Sequence, residues 1–132
     1  MRPRTLTLCG WGPYKREERV DFSVFERRGI FLITGATGAG KTTIFDAISY
    51  ALYGALSGEE RDKEKGSVRS DFAEPSTPTY VELVMEHGGN CYRIRRNPDY
   101  LRPKKRGSKG EAYTKEKENA VLYYPDDRVL EG

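Results

Sequence analysis

The chain has 132 residues, enough for one domain with a real core. Charged residues make up 33% and hydrophobic ones 36%, and 23 Lys and Arg against 20 Asp and Glu leave a net charge of +3, which neither demands nor excludes nucleic acid. The apolar runs are far too short to span a membrane, Met1-Arg2-Pro3-Arg4 does not open a secretory leader, and Cys9 and Cys91 have no metal-ligand spacing, so the expectation is a soluble cytoplasmic protein with reduced cysteines and no membrane partner.

Thr5-Leu6-Thr7-Leu8-Cys9 alternates with period two and predicts a first strand, broken by Gly10-Trp11-Gly12-Pro13-Tyr14. Arg19 to Phe22 predicts a short second strand, and Glu26-Arg27-Arg28-Gly29 a turn into a central buried strand, Ile30 to Thr34. A helix follows from about Lys41 to Tyr53, with Ile44, Ala47, Ile48, Ala51, Leu52 and Ala55 at helical spacing. Phe45 and Tyr53 widen its apolar face, which predicts cover on more than one side, and Gly54 is the expected stop. Leu56 to Gly66 reads as an exposed loop, and Ser67 to Ala73 as a short strand or ordered loop. Thr79 to Glu86 and Cys91 to Arg96 alternate around His87-Gly88-Gly89-Asn90 and predict a hairpin. Asn97 to Glu111 reads as a polar loop, Asn119 to Tyr124 as a strand, and Arg128-Val129-Leu130 as the start of another.

Gly35-Ala36-Thr37-Gly38-Ala39-Gly40-Lys41-Thr42 fits the phosphate-binding pattern G-x-x-x-x-G-K-[ST] without a mismatch, between an apolar run and an apolar helix. The residue types answer a physical need. Glycines let the backbone curl around an anion, and the helix start aims unpaired N–H groups and its positive dipole end at the same charge. Lys41 supplies a point charge for the β- and γ-phosphates, and the Thr42 hydroxyl suits a Mg²⁺ coordination position. The candidate nucleotide-binding residues are therefore Gly35, Ala36, Thr37, Gly38, Ala39, Gly40, Lys41, Thr42 and Thr43, with Thr42 the metal ligand.

The order of elements narrows the fold class. Two strands precede the phosphate loop and antiparallel hairpins follow its helix, whereas a doubly wound domain alternates strand and helix. The fold class is α/β: a P-loop NTPase, specifically the N-terminal lobe of an ABC-type ATPase head with mostly antiparallel flanking strands and one main helix after the loop.

Four stretches carry a family resemblance: Leu6 to Tyr14, with Trp11 where the family has Phe; Phe31 to Ile48; Ala51-Leu52-Tyr53-Gly54; and Val68-Arg69-Ser70-Asp71-Phe72-Ala73. Through them the whole chain resembles the N-terminal head segment of the SbcC family, the bacterial SMC-like DNA repair ATPases. The resemblance implies ATP and Mg²⁺ as cofactors. It implies an SbcD-type nuclease subunit, a second ATPase head and DNA as partners. It places Ser67, Val68 and Arg69 near the base and ribose. It also implies a glutamine loop, coiled coil, zinc hook and C-terminal half-head with signature motif and Walker B carboxylates, none of which is seen here. Residues 1–132 are thus expected to be a fragment holding half of an ATPase site, able to bind ATP but hardly to hydrolyse it, with no catalytic residue of its own. The alternative is a stand-alone phosphate-loop nucleotide-binding or interaction module without a nuclease partner; a small nucleotide kinase is disfavoured by the antiparallel hairpins.

Leu56-Ser57-Gly58-Glu59 is not the ABC signature, because it follows the phosphate-loop helix at once and leads into a charged loop. Glu59, Glu60 and Asp62 read as solvated loop rather than as bases, and Asp46 as support for the helix start. Trp11 to Tyr14 is open between a nucleotide contact and a structural turn. Arg102, Lys104, Lys105, Arg106 and Lys109, with Arg93, Arg95 and Arg96, are open between a solvated charge run and a contact with DNA phosphates, the former being the default. His87 is expected at the surface.

Overall fold

The structure is a computed structural model describing residues 1–25, 30–57, 68–104 and 112–132. The turn at 26–29, the acidic residues Glu59, Glu60 and Asp62, Ser67, and Lys105, Arg106 and Lys109 of the basic run lie outside the described residues.

Strand β1 (Arg2–Cys9) and strand β2 (Glu18–Asp21) form the first antiparallel pair, followed by a single 3₁₀ turn at Ser23–Phe25. Helix α1 spans Lys41–Tyr53. Strands β3 (Tyr80–His87) and β4 (Asn90–Asn97) are the expected hairpin, β5 (Tyr100–Pro103) and β6 (Tyr113–Glu116) a small second sheet, and β7 (Asn119–Tyr123) and β8 (Val129–Glu131) the last pair. The main sheet runs in the order β2-β1-β3-β4-β7-β8, with every neighbouring pair antiparallel.

Alternation decides which face is the core. Leu6 and Leu8 of β1, Val81 and Leu83 of β3 and Ile94 of β4 project to one side and are buried. Ile44, Ala47, Tyr50 and Ala51 recur at helical spacing and press α1 onto that side, and Trp11 and Phe22 complete the cluster. The β3–β4 turn is tight because both of its loop residues, Gly88 and Gly89, take positive φ (58° and 77°), the geometry of a two-residue hairpin loop. Helix α1 ends at Gly54, left-handed at φ 70°, whose N–H reaches the Tyr50 carbonyl at 2.8 Å.

Two expectations need correction. Ile30–Thr34 is not a strand: it pairs with none of the described strands, and Ile30 and Leu32 are 87% and 85% exposed. A strand needs a neighbour for its backbone groups and cover for both faces of an apolar run, and neither is supplied here. Only part of the segment is anchored: the Phe31 ring stacks on Phe25 at 4.9 Å and lies 5.6 Å from Phe22, and Ile33 packs against the core. Likewise α1 is covered on one side, since Phe45 and Tyr53 stay exposed. Within the stretch expected as polar loop, Tyr100–Pro103 forms β5, paired with β6.

Candidate nucleotide-binding site

The phosphate loop leads straight into α1. Gly38 and Gly40 take φ of 82° and 85°, which only glycine adopts without strain, and the second of these starts the helix with no side-chain cap. The first-turn N–H groups of α1 are thus left for an anion rather than for a capping side chain. The Lys41 ammonium folds back over the loop and donates to the carbonyl oxygens of Gly35 at 2.7 Å and Ala36 at 2.6 Å. The Ala39 N–H donates to the same Ala36 carbonyl at 3.2 Å, closing a turn beneath the lysine.

The turn after β1 packs against this loop. A Cβ on Gly40 would stand 2.8 Å from Pro13 Cγ and 2.9 Å from the Tyr14 hydroxyl, and one on Gly12 would stand 2.8 Å from Thr43 Cγ2. The Tyr14 hydroxyl donates to the Gly40 carbonyl at 3.3 Å. Burial first, and then the Glu18 carboxylate, push the Tyr14 phenol above its ordinary pKa, so it stays a neutral donor. Trp11 and Tyr14 exchange two backbone hydrogen bonds of 2.9 Å, and the Trp11 ring lies 5.0 Å from that of Tyr50 on α1. The turn is structural to this extent, while Gly12 and Pro13 also face open space.

That space is a cleft of about 480 Å³ lined by Trp11, Gly12 and Pro13 on one side, Thr37, Gly38 and Gly40 to Thr43 on another, and Asp46, Leu56 and Val68. Of the sequence-predicted residues, Thr37, Gly38, Gly40, Lys41, Thr42, Thr43 and Val68 therefore meet at one place. Gly35 and Ala36 instead hold the Lys41 ammonium by their carbonyls, and Ala39 closes the turn. Ser67 lies outside the described residues. Arg69 does not line the cleft; its guanidinium points to the carbonyls of Glu74 and Thr77.

Leu56 was not singled out by the sequence, and Asp46 only as helix support. Asp46 is one helical turn beyond Thr42, so the i, i+4 spacing was the available signal. Its carboxylate accepts from the Ser57 N–H at 3.2 Å and from the Ser57 hydroxyl, which draws the segment after α1, with Leu56, to the rim of the cleft. The basic residues do not converge here. Arg93 and Arg95 stack on Tyr123 and Tyr80 and flank Glu82, Arg96 donates to the Ala51 carbonyl at the end of α1, and Arg102 pairs with Glu116. Among the described residues no helix is long and apolar enough to cross a membrane.

Residues 5–127 match the model of a family described as the AAA domain. The chain is similar to proteins named as the SbcC component of the nuclease SbcCD. It is 45% identical over 122 residues to that of Vibrio cholerae, which covers 92% of this chain and 12% of the relative. The Lactococcus lactis protein of that name is 44% identical over 82% of this chain and 10% of its own length, and a Staphylococcus aureus one 40% over 77% and 10%. The chain thus spans about a tenth of the length of these curated relatives.

Proposed function

This chain belongs to the AAA domain family, and we propose that it is the ATP-binding N-terminal segment of an SbcC-like protein, residues 1–132 forming the Walker A lobe of an ABC-type ATPase head. The observation that carries the reading is the glycine-rich loop running into an uncapped helix start beside a cleft of nucleotide-binding size.

The residues present fit ATP with Mg²⁺. A Cβ on Gly38 would meet nothing within 4 Å, so the loop backbone is open to close approach. The N–H groups from Gly38 to Thr43 are the donors for the phosphate chain. Lys41 binds the β- and γ-phosphates by exchanging its two carbonyl partners for phosphate oxygens. The exposed Thr42 hydroxyl is the metal ligand; the metal, when bound, neutralises phosphate charge. Pro13, Leu56 and Val68 supply an apolar wall for the base, with Ser67 next in the chain. Hydrolysis is assigned to a site completed from outside these residues, by a second head and a C-terminal half-head.

The exposed Ile30–Thr34 segment and the exposed Phe45 and Tyr53 on α1 are surfaces for that remainder of the head. In the whole protein, ATP binding and hydrolysis would control an SbcD-type nuclease subunit acting on DNA double-strand ends and hairpins in repair and recombination. The test is equilibrium binding of a fluorescent ATP analogue with Mg²⁺ to the wild-type chain and to Lys41→Ala. Loss of one charge-assisted contact, about 1.5–3 kcal/mol, lowers affinity roughly 10- to 150-fold. Equal binding by both proteins, or turnover by the 132-residue chain itself, overturns the reading.

A further inference from the structure

Arg69 sits where a cation would be assigned to phosphate or ribose, yet its guanidinium is spent elsewhere. One nitrogen donates to the Thr77 carbonyl at 2.9 Å and to the Thr79 hydroxyl, and the other to the Glu74 carbonyl at 3.0 Å. Its carbon lies 5.1 Å from the centre of the Tyr100 ring on β5. Thr79 is fully buried, so this acceptor is fixed in the fold rather than borrowed from solvent.

The Arg69 backbone faces the other way. Trp11 and Arg69 form an antiparallel bridge, the Gly12 N–H donates to the Val68 carbonyl at 2.9 Å, and the Ser70 N–H donates to the Gly10 carbonyl at 2.8 Å. Residues 68–70 are thereby laced to residues 10–12, and Gly12 and Val68 both line the cleft. Val68 is itself buried. The side chain of Arg69 is the anchor on the far side of this lacing. It ties the Val68–Ser70 strip to the 74–79 segment and to β5, away from the phosphate loop.

We infer that Arg69 is a positioning residue for the base side of the nucleotide site: by gripping the 74–79 carbonyls it holds Val68 against Gly12 and so fixes the apolar wall opposite Thr43, without touching the nucleotide. The inference rests on the ATP-binding reading above. It separates two halves of one site, a phosphate half built by Gly35 to Thr43 and a base half whose geometry depends on Arg69. A base packed on a misplaced wall loses about one apolar contact, on the order of tenfold in affinity, while a bare phosphate chain loses nothing.

The experiment measures binding of ATP and of inorganic tripolyphosphate, each with Mg²⁺, to the full chain carrying Arg69→Ala, Thr79→Val or Tyr100→Leu, with circular dichroism as the control for folding. Arg69→Ala should weaken ATP on the order of tenfold and leave tripolyphosphate unchanged. Thr79→Val and Tyr100→Leu, which remove one Arg69 partner each, should weaken ATP in the same sense by less. Should Arg69→Ala fail to fold, those two variants decide. Equal loss of ATP and tripolyphosphate in a folded Arg69→Ala protein overturns the inference, because it marks a direct phosphate contact. So does unchanged ATP affinity in both Thr79→Val and Tyr100→Leu. A wild-type chain that binds neither ligand defeats the ATP-binding reading itself, a result distinct from either.

Discussion

Gly40 carries three demands at once: it starts α1, it takes φ 85°, and it lies under Pro13 and Tyr14 with no room for a methyl group. Gly40→Ala should therefore cost about 1–2 kcal/mol for the left-handed backbone alone, with the clash added, and urea unfolding should register the loss. ATP affinity should fall with it, since the Trp11–Tyr14 turn must move off the loop. The glycine's place in the motif was legible in the sequence; the proline and tyrosine above it were not, because that contact joins residues 26 or more positions apart. Lys41, Thr42 and Thr43 were legible for the opposite reason, as consecutive residues whose roles follow from a local backbone shape. Arg69 illustrates the remaining gap. Its position beside the cleft followed from resemblance, but the direction of a long side chain is set by whichever carbonyls surround it, and those of Glu74 and Thr77 are nearer than any phosphate site.

Elements whose pairing is local were readable, and those that depend on distant neighbours were not. Helix α1 runs from Lys41 to Tyr53 as its spacing predicted, and the β3–β4 hairpin closes on Gly88-Gly89 as its turn residues require. The charged, proline-ending β5 carries no strand signal; it forms because β6 comes back alongside it. Asp99, at the base of that hairpin, accepts from the Lys115 ammonium at 2.5 Å and the Glu118 N–H at 2.7 Å, and these contacts, Lys115 first, hold its carboxyl below the ordinary value of 3.8. Because the folded value is the lower one, its support is complete above the ordinary value. It is lost as the pH falls through the lowered one. The Glu118 amide resonance should accordingly titrate with a midpoint below 3.8, and Asp99→Asn should abolish that titration. Ile30–Thr34 is the converse of the hairpin, a segment with every intrinsic preference for a strand and no ladder to join.

At the scale of the molecule, buried and exposed apolar residues should answer differently to mutation. Leu83 is fully buried in β3 and Leu32 is 85% exposed. In the 132-residue chain, Leu83→Ala should cost about 2–5 kcal/mol, while Leu32→Ser should stay within about 0.5 kcal/mol in the same denaturation assay. In a longer chain that completes the head, Leu32→Ser should become costly, which tests whether Ile30–Thr34 is a strand in waiting. The sheet order has one further consequence. All its pairings but one join strands close in sequence; the exception joins β1 to β3, with Cys9 opposite Tyr80. Residues 10–79, which include the phosphate loop and α1, are therefore threaded on a ring with the β1–β3 ladder as its clasp. Shutting a ring of that length costs on the order of 4 kcal/mol in chain entropy before any contact repays it. The two sides of the cleft, Trp11 to Pro13 and Thr37 to Thr43, face each other only once the ring is shut. Affinity for a nucleotide seated between them is in the same measure affinity for the closed ring, and each bound molecule acts as a second clasp.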